Sequence, residues 1–322
     1  MRLTMFFALL CVACSHASLP APLVRPAVGG NLGKVVVLKG KKAAFMEQAA
    51  QAFLDTVDAQ VTVFSDVQDA DADALVAAIY KAQPQLVMAF GGQAATLAAE
   101  HFNDVPVLFA MVLNYKIYSV LKHPNVAGIA MEPTPQAEFV RFRMLDGDLR
   151  ILDIPYTLTV SDDLAKAVKE QLAPMGVSVR LYPVAMGADA ATALRARKPD
   201  EAKADGMWLI NDPWVMKQFE ALRALANQDK TALLTSLSDK FVQEGAFLSV
   251  SVDIPSVGTQ AAALARLVLE HGKTAHDLGV QLPIGLKLAA NRAVAKNLGR
   301  DFGLDVLPFI NELVEEAQAR TP

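Results

Sequence analysis

The side chains best placed to do chemistry in this chain share one context: each follows a short apolar run. VPVLFAMV leads to Asn114, YTLTVS ends at Ser161, and GMWLIND ends at Asn211-Asp212 with Trp214 just beyond. ALLTS ends at Ser236 with Ser238 following, and SVSVD ends at Asp253. LVMAFG runs into Gly92-Gln93 at a helix start, where free backbone N–H groups favour an anion or carboxylate. A carboxylate such as Asp212 or Asp253 suits an ammonium group. A few polar groups converging in a concave, mostly apolar site are what fix a small ligand. Each position also fits plain capping: Asp212 precedes Pro213 as a helix start does, and Ser161 or Asp162 suits an N-cap. A tight turn is the simpler account of Gly91-Gly92.

Covalent and metal chemistry find little to work with. The histidines (His16, His101, His123, His271, His276) have no ligand spacing, so no metal site is expected. There is no G-x-S-x-G, and both cysteines, Cys11 and Cys14, lie at the extreme N-terminus. Gly29-Gly30-Asn31-Leu32-Gly33-Lys34 has the flavour of a phosphate loop, but Val35 stands where Ser or Thr is needed and the glycines precede a strand. No catalytic residues and no cofactor are expected, so the residues point to binding and not to an enzyme.

Composition narrows the partner. The 322 residues are 53% hydrophobic and 20% charged with a net charge of −4. That is enough for a large core and about two domains, and it offers no basic face for nucleic acid. Residues 1–17 read as a signal peptide: Arg2, then an apolar stretch Met5–Ala13 too short to span a bilayer. Ser15-His16-Ala17 suits cleavage after Ala17. Cys11-Val12-Ala13-Cys14 is the alternative, a lipobox-like run that would lipidate Cys14. Residues 18–33, rich in Pro, Ala and Gly, read as a tether.

These residues must be positioned by strands and helices, and the pattern supplies them. Continuous apolar runs at Lys34–Gly40, Leu86–Gly92 and Val105–Met111 predict buried parallel strands. Helical spacing at 42–57, 69–83 and 93–101 alternates with them. The rhythm breaks at Glu132-Pro133-Thr134-Pro135 and restarts. The second run predicts strands at 156–161, 177–182, 206–212, 232–236 and 249–252, with helices at 162–175, 188–197, 215–228 and 239–244. The fold class expected is α/β, two doubly wound parallel-sheet lobes, with ligands at the C-terminal ends of the strands.

SVDIPSVGTQAAALARLVLEHGKTAHDLGVQLP and the later Asn291–Gly299 segment resemble the C-terminal part of the ABC-transporter substrate-binding proteins that include tryptophan- and tyrosine-type members. LVMAFGGQAATLAAE, VPVLFAMV and NVAGIAMEPTPQAEF resemble earlier blocks of the same family, so the likeness covers residues 34–315. Departures occur at Leu113-Asn114-Tyr115, at His123-Pro124 and around Gly147–Pro155. The resemblance implies a type I periplasmic binding protein fold with a multi-crossover hinge. Lobe one is then 34–130 completed by 254–283, and lobe two 131–253 completed by 284–320, with Ser249–Gly272 the return crossing. It implies an exported monomer, periplasmic or membrane-anchored. Such a protein takes a small solute, an amino acid or related compound, between its lobes and passes it to an ABC permease in the inner membrane. The ligand contacts expected are Gly92, Gln93 and Asn114 in lobe one, and Ser161, Asp212, Ser238 and Asp253 in lobe two and the hinge. A sensor or interaction protein of the same fold is the alternative.

Overall fold

The computed structural model describes residues 21–27, 33–196, 202–236 and 238–315. The expected signal peptide, the Cys14 site and most of the tether lie outside the described residues. The chain divides into two compact units, Met1–Gly128 with Ala261–Gly279, and Ile129–Gln260 with Val280–Pro322.

In chain order the first half gives β1 (Leu23–Arg25), β2 (Lys34–Lys39), α1 (Ala44–Thr56), β3 (Gln60–Phe64), α2 (Ala72–Lys81), β4 (Leu86–Phe90), α3 (Gly92–His101), β5 (Val107–Val112) and β6 (Val126–Ala130). Then come α4 (Pro135–Leu145), β7 (Ile151–Thr157), α5 (Leu158–Leu172), β8 (Ser178–Val184), α6 (Ala190–Arg195), β9 (Gly206–Leu209), α7 (Pro213–Met216), α8 (Phe219–Asp229), β10 (Ala232–Thr235), α9 (Lys240–Gln243) and β11 (Leu248–Val252). The chain closes with α10 (Ile254–Leu269), α11 (Ala275–Leu278), β12 (Val280–Gln281), β13 (Leu286–Asn291), α12 (Arg292–Asn297) and β14 (Glu312–Val314).

The first sheet has the order β1-β3-β2-β4-β5-β6-β12. Its central strands are apolar throughout because helices cover both faces: every residue of β4 and β5 is buried. β1 pairs antiparallel with β3, Val24 opposite Thr62. Leu23–Arg25 is therefore an edge strand and not tether. Gly128 is required by close approach, since a Cβ there would stand 2.5 Å from the Phe109 carbonyl oxygen.

The second sheet has the order β14-β13-β11-β10-β9-β7-β8. β13 runs antiparallel to β11, so the sheets are mixed, although most pairings are parallel. The period of two is visible in its cores. Leu152, Ile154, Trp208, Leu234, Leu248 and Val250 pack with α4 and α5 residues on one face. Met207, Leu209 and Leu233 pack with Leu194, Leu222 and Leu225 on the other.

β7 departs from the expected strand at 156–161, and its sequence explains why. Asp153 and Pro155 interrupt the apolar run, yet Asp153 is buried and accepts from Arg180 Nε at 2.6 Å. The Ile151 carbonyl accepts from Asp205 N, so residues 151, 153 and 155 direct their backbone groups toward β9. Pairing with β9 runs over Leu152 and Asp153, so the missing N–H of Pro155 falls beyond it and costs no ladder bond.

Candidate functional site

The second unit carries the denser cluster, at the C-terminal edge of its sheet. Past Pro155 the next backbone donor on the β9 side is Thr157 N, and β9 has ended at Leu209. The Asp212 side chain takes its place: Oδ2 accepts Thr157 N at 2.6 Å and Oδ1 accepts Thr157 Oγ1 at 3.0 Å. Oδ1 also accepts the backbone N–H groups of Trp214 at 2.9 Å and Val215 at 3.1 Å, as the N-cap of α7. The Ser161 hydroxyl bonds the same carboxylate. Asp212 has no exposed surface. Burial pushes its carboxyl up, but the Thr157 and Val215 N–H groups and the Ser161 and Thr157 hydroxyls outweigh that and hold it below the usual range. It is an ionised, fully engaged anchor for two loop ends.

Ser161 shows what that anchoring does to α5. Its φ of −126° and ψ of 17° break the helix, so Leu158–Val160 form a separate turn and the straight run begins at Asp162. Asp162 bonds the Tyr156 hydroxyl at 3.1 Å and Lys166 Nζ at 2.6 Å. Leu158 and Val160 are thereby exposed, as is Trp214, whose ring carries Lys217 Nζ at 4.3 Å. Buried polar anchors thus lie beneath an apolar rim.

One strand further along, a second polar chain runs inward. The Trp208 Nε1–H donates to Ser236 Oγ at 2.7 Å, and Ser236 Oγ–H donates to Glu138 Oε2 at 2.8 Å. Glu138 lies in the first turn of α4, whose N-cap Thr134 accepts Ala137 N with Pro135 at the first helical position. Burial pushes the Glu138 carboxyl up to about 8, only partly offset by the Ser236 bond, so it is neutral at pH 7.

Ser238 and Asp253 sit on neighbouring strand ends of this unit. The Ser238 carbonyl accepts from Ser249 Oγ at 3.0 Å, and its hydroxyl accepts Lys240 N at 3.2 Å. Asp253 opens α10, its N–H bonded to the Gly285 carbonyl and its carboxylate 3.7 Å from Lys287 Nζ. The structure thus ties Asp212 directly to Ser161; Ser238 and Asp253 end separate strands of the same sheet region.

In the first unit, Gly91 takes φ +91° as it opens α3, a backbone state that favours glycine. The Tyr118 hydroxyl stands 3.0 Å from where a Gly92 Cβ would be, and Gln93 is exposed. Asn114 follows β5 in a left-handed conformation, φ 48°, between exposed Leu113 and the 3₁₀ turn Tyr115–Ile117.

Glu138 and Thr157 were not singled out by sequence reasoning. Glu138 reads as an ordinary acid in a first helical turn; the one available signal was its place one turn after the Pro133/Pro135 break. No group of side chains among the described residues could hold a metal ion, and no described helix is long and apolar enough to cross a membrane.

Two seven-stranded, mostly parallel α/β sheets define a periplasmic-binding-protein-like fold. The chain belongs to the ABC transporter substrate binding protein family, matched over residues 51–307. Among solved structures it is similar to the ligand-free, open form of CD0873, a substrate-binding protein with adhesive properties from Clostridium difficile. There the TM-score is 0.71 at 14% identity, over 88% of this chain and 99% of that one. It is also similar to an ABC domain from Streptococcus pneumonia in complex with L-Trp, with TM-score 0.53, 17% identity and coverage of 87% and 100%. A substrate-binding protein from Desulfitobacterium hafniense in complex with Leu gives TM-score 0.51 and 14% identity over 82% and 88%. No curated protein sequence matches the chain.

Proposed function

We propose that this chain is an extracytoplasmic solute receptor that captures an amino acid or related small molecule and hands it to an ABC permease in the inner membrane. The observation that carries this reading is the C-terminal edge of the second sheet, where Asp212 fixes Thr157 and Ser161 beneath exposed Leu158, Val160 and Trp214. That combination of rigid polar anchors and apolar rim suits a small ligand with one polar end. Family membership supplies the transport context, and relatives of the same fold are complexed with L-Trp and Leu.

Ligand contacts are assigned to Gly92, Gln93 and Asn114 in the first unit and to Ser161, Ser238 and Asp253 in the second; Asp212, expected from the sequence as a direct contact, is fully buried and engaged by Thr157, Trp214 and Val215, so it is assigned to positioning Ser161 instead. The α3 start offers N–H groups to a carboxylate. The protein does no chemistry on its solute, acts as a monomer, and is exported under residues 1–17 or anchored through a lipid on Cys14. Titration calorimetry with a panel of amino acids tests it: one solute bound per chain and recovered unchanged is expected, and conversion of the solute would refute the receptor role.

A further inference from the structure

The apolar rim above Asp212 is not uncharged. Trp214 is exposed, and Lys217, one helical turn on at the C-cap of α7, places its Nζ 4.3 Å from the centre of the ring. Lys217 forms no ion pair with an acid among the described residues. The acids on the elements around it are engaged elsewhere. Asp212 is buried and saturated by the N–H groups of Thr157, Trp214 and Val215 and by two hydroxyls. Asp162 holds Lys166 and the Tyr156 hydroxyl. Asp189 caps α6 and accepts from Thr192. Glu220, on the next helix, holds Arg223.

The ring is fixed at its root, since Trp214 N–H donates to Asp212 Oδ1 at 2.9 Å. The turn that exposes Leu158 and Val160 starts from the same carboxylate, through Thr157 N. A bare indole in this place would attract cations, because the face of the ring carries negative charge density that draws an ammonium or guanidinium within about 6 Å. Lys217 meets that demand from within the chain, and its charge stays at the rim. A second cation brought to the ring meets repulsion at a few ångströms. An uncharged side chain meets ring and aliphatic surface. The attractive element here is apolar and the repulsive element is an ammonium, which together discriminate by charge.

We propose that Lys217 is a specificity-determining residue that turns cationic solutes away from this rim, so that the solute presents an uncharged or acidic group to Trp214. The assignment deepens the receptor reading above and rests on it.

Calorimetry on the full chain at low salt tests it, with the twenty common L-amino acids and putrescine as probes. The best binder should be a non-basic amino acid, with lysine, arginine and putrescine weaker by about tenfold or more. Lys217→Met keeps an apolar stem by the ring and removes the charge; Lys217→Glu reverses it. Both should fold as the wild type does by circular dichroism. The affinity for arginine relative to that best binder should rise about tenfold in Lys217→Met and further in Lys217→Glu. The gap between the two variants should shrink at about 0.5 M salt. A basic solute as the best wild-type binder, a ratio unchanged in both variants, or loss of all binding from folded Lys217→Met overturns the assignment and leaves the receptor reading standing. If no probe binds the wild type, both fall.

Discussion

The Asp212 carboxylate accepts the Thr157 backbone N–H at 2.6 Å, across fifty-five residues of chain. β7 and β9 are neighbours whose pairing runs out before their ends, and a side chain completes the ladder that the backbone does not. Thr157 and Ser161, on one strand's exit, and Trp214, on the next, are therefore fixed by one group.

Asp212→Ala removes an N-cap and leaves the Thr157 N–H buried without a partner. The expected cost is about 3 kcal/mol of stability, read by urea denaturation. Solute affinity should fall by more than about tenfold because Ser161 loses its anchor. A variant with native stability would show that the anchor does nothing.

The same group sets an acid limit. Its carboxyl is held below the usual range in the folded protein, so the stability it contributes is present above the unfolded value and is lost as pH falls through the folded one. Wild type should lose stability more steeply than Asp212→Asn in that acid window, measured by thermal melts across pH.

Glu138 has the opposite sign. Its folded carboxyl is pushed up to about 8, so the favourable contribution is complete below the unfolded value near 4.5 and is lost as pH rises toward 8. Ligand-free wild type should therefore weaken between these limits relative to Glu138→Gln, by about 5 kcal/mol at the ceiling. Parallel melting curves for the two proteins across this range would contradict the burial argument.

Asp153→Ala leaves Arg180 in a largely buried position without its carboxylate. The expected loss is about 3 kcal/mol, while Gly128→Ala, whose Cβ would meet the Phe109 carbonyl, should cost at least as much through displaced backbone. Chemical denaturation of the two variants checks both values.

The sequence was most legible where burial is two-sided. Val35–Leu38, Leu86–Phe90 and Val107–Val112 are apolar without interruption and are strands in the structure. Legibility failed where a polar residue is satisfied by something distant. Asp153 and Pro155 look like a strand breaker until Arg180 and the end of β9 are in place. The helix expected over 215–228 is two, because Gln218 leaves the helical region and its amide holds Ala188 and Ala190, thirty and twenty-eight residues away. Leu23–Arg25 has no apolar pattern of its own and becomes a strand only through the free edge of β3. In the site, Asp212 was visible as a polar strand end, but its engagement with Thr157 was not; Glu138 was hidden by its ordinary place in a first helical turn.

The central claim, one-to-one capture of a small solute, is tested most directly by native mass spectrometry of the purified chain incubated with the amino-acid panel. One solute should be retained per chain, released intact on denaturation, and lost from Asp212→Ala. Retention of no panel member, or release of a chemically altered one, would contradict the account.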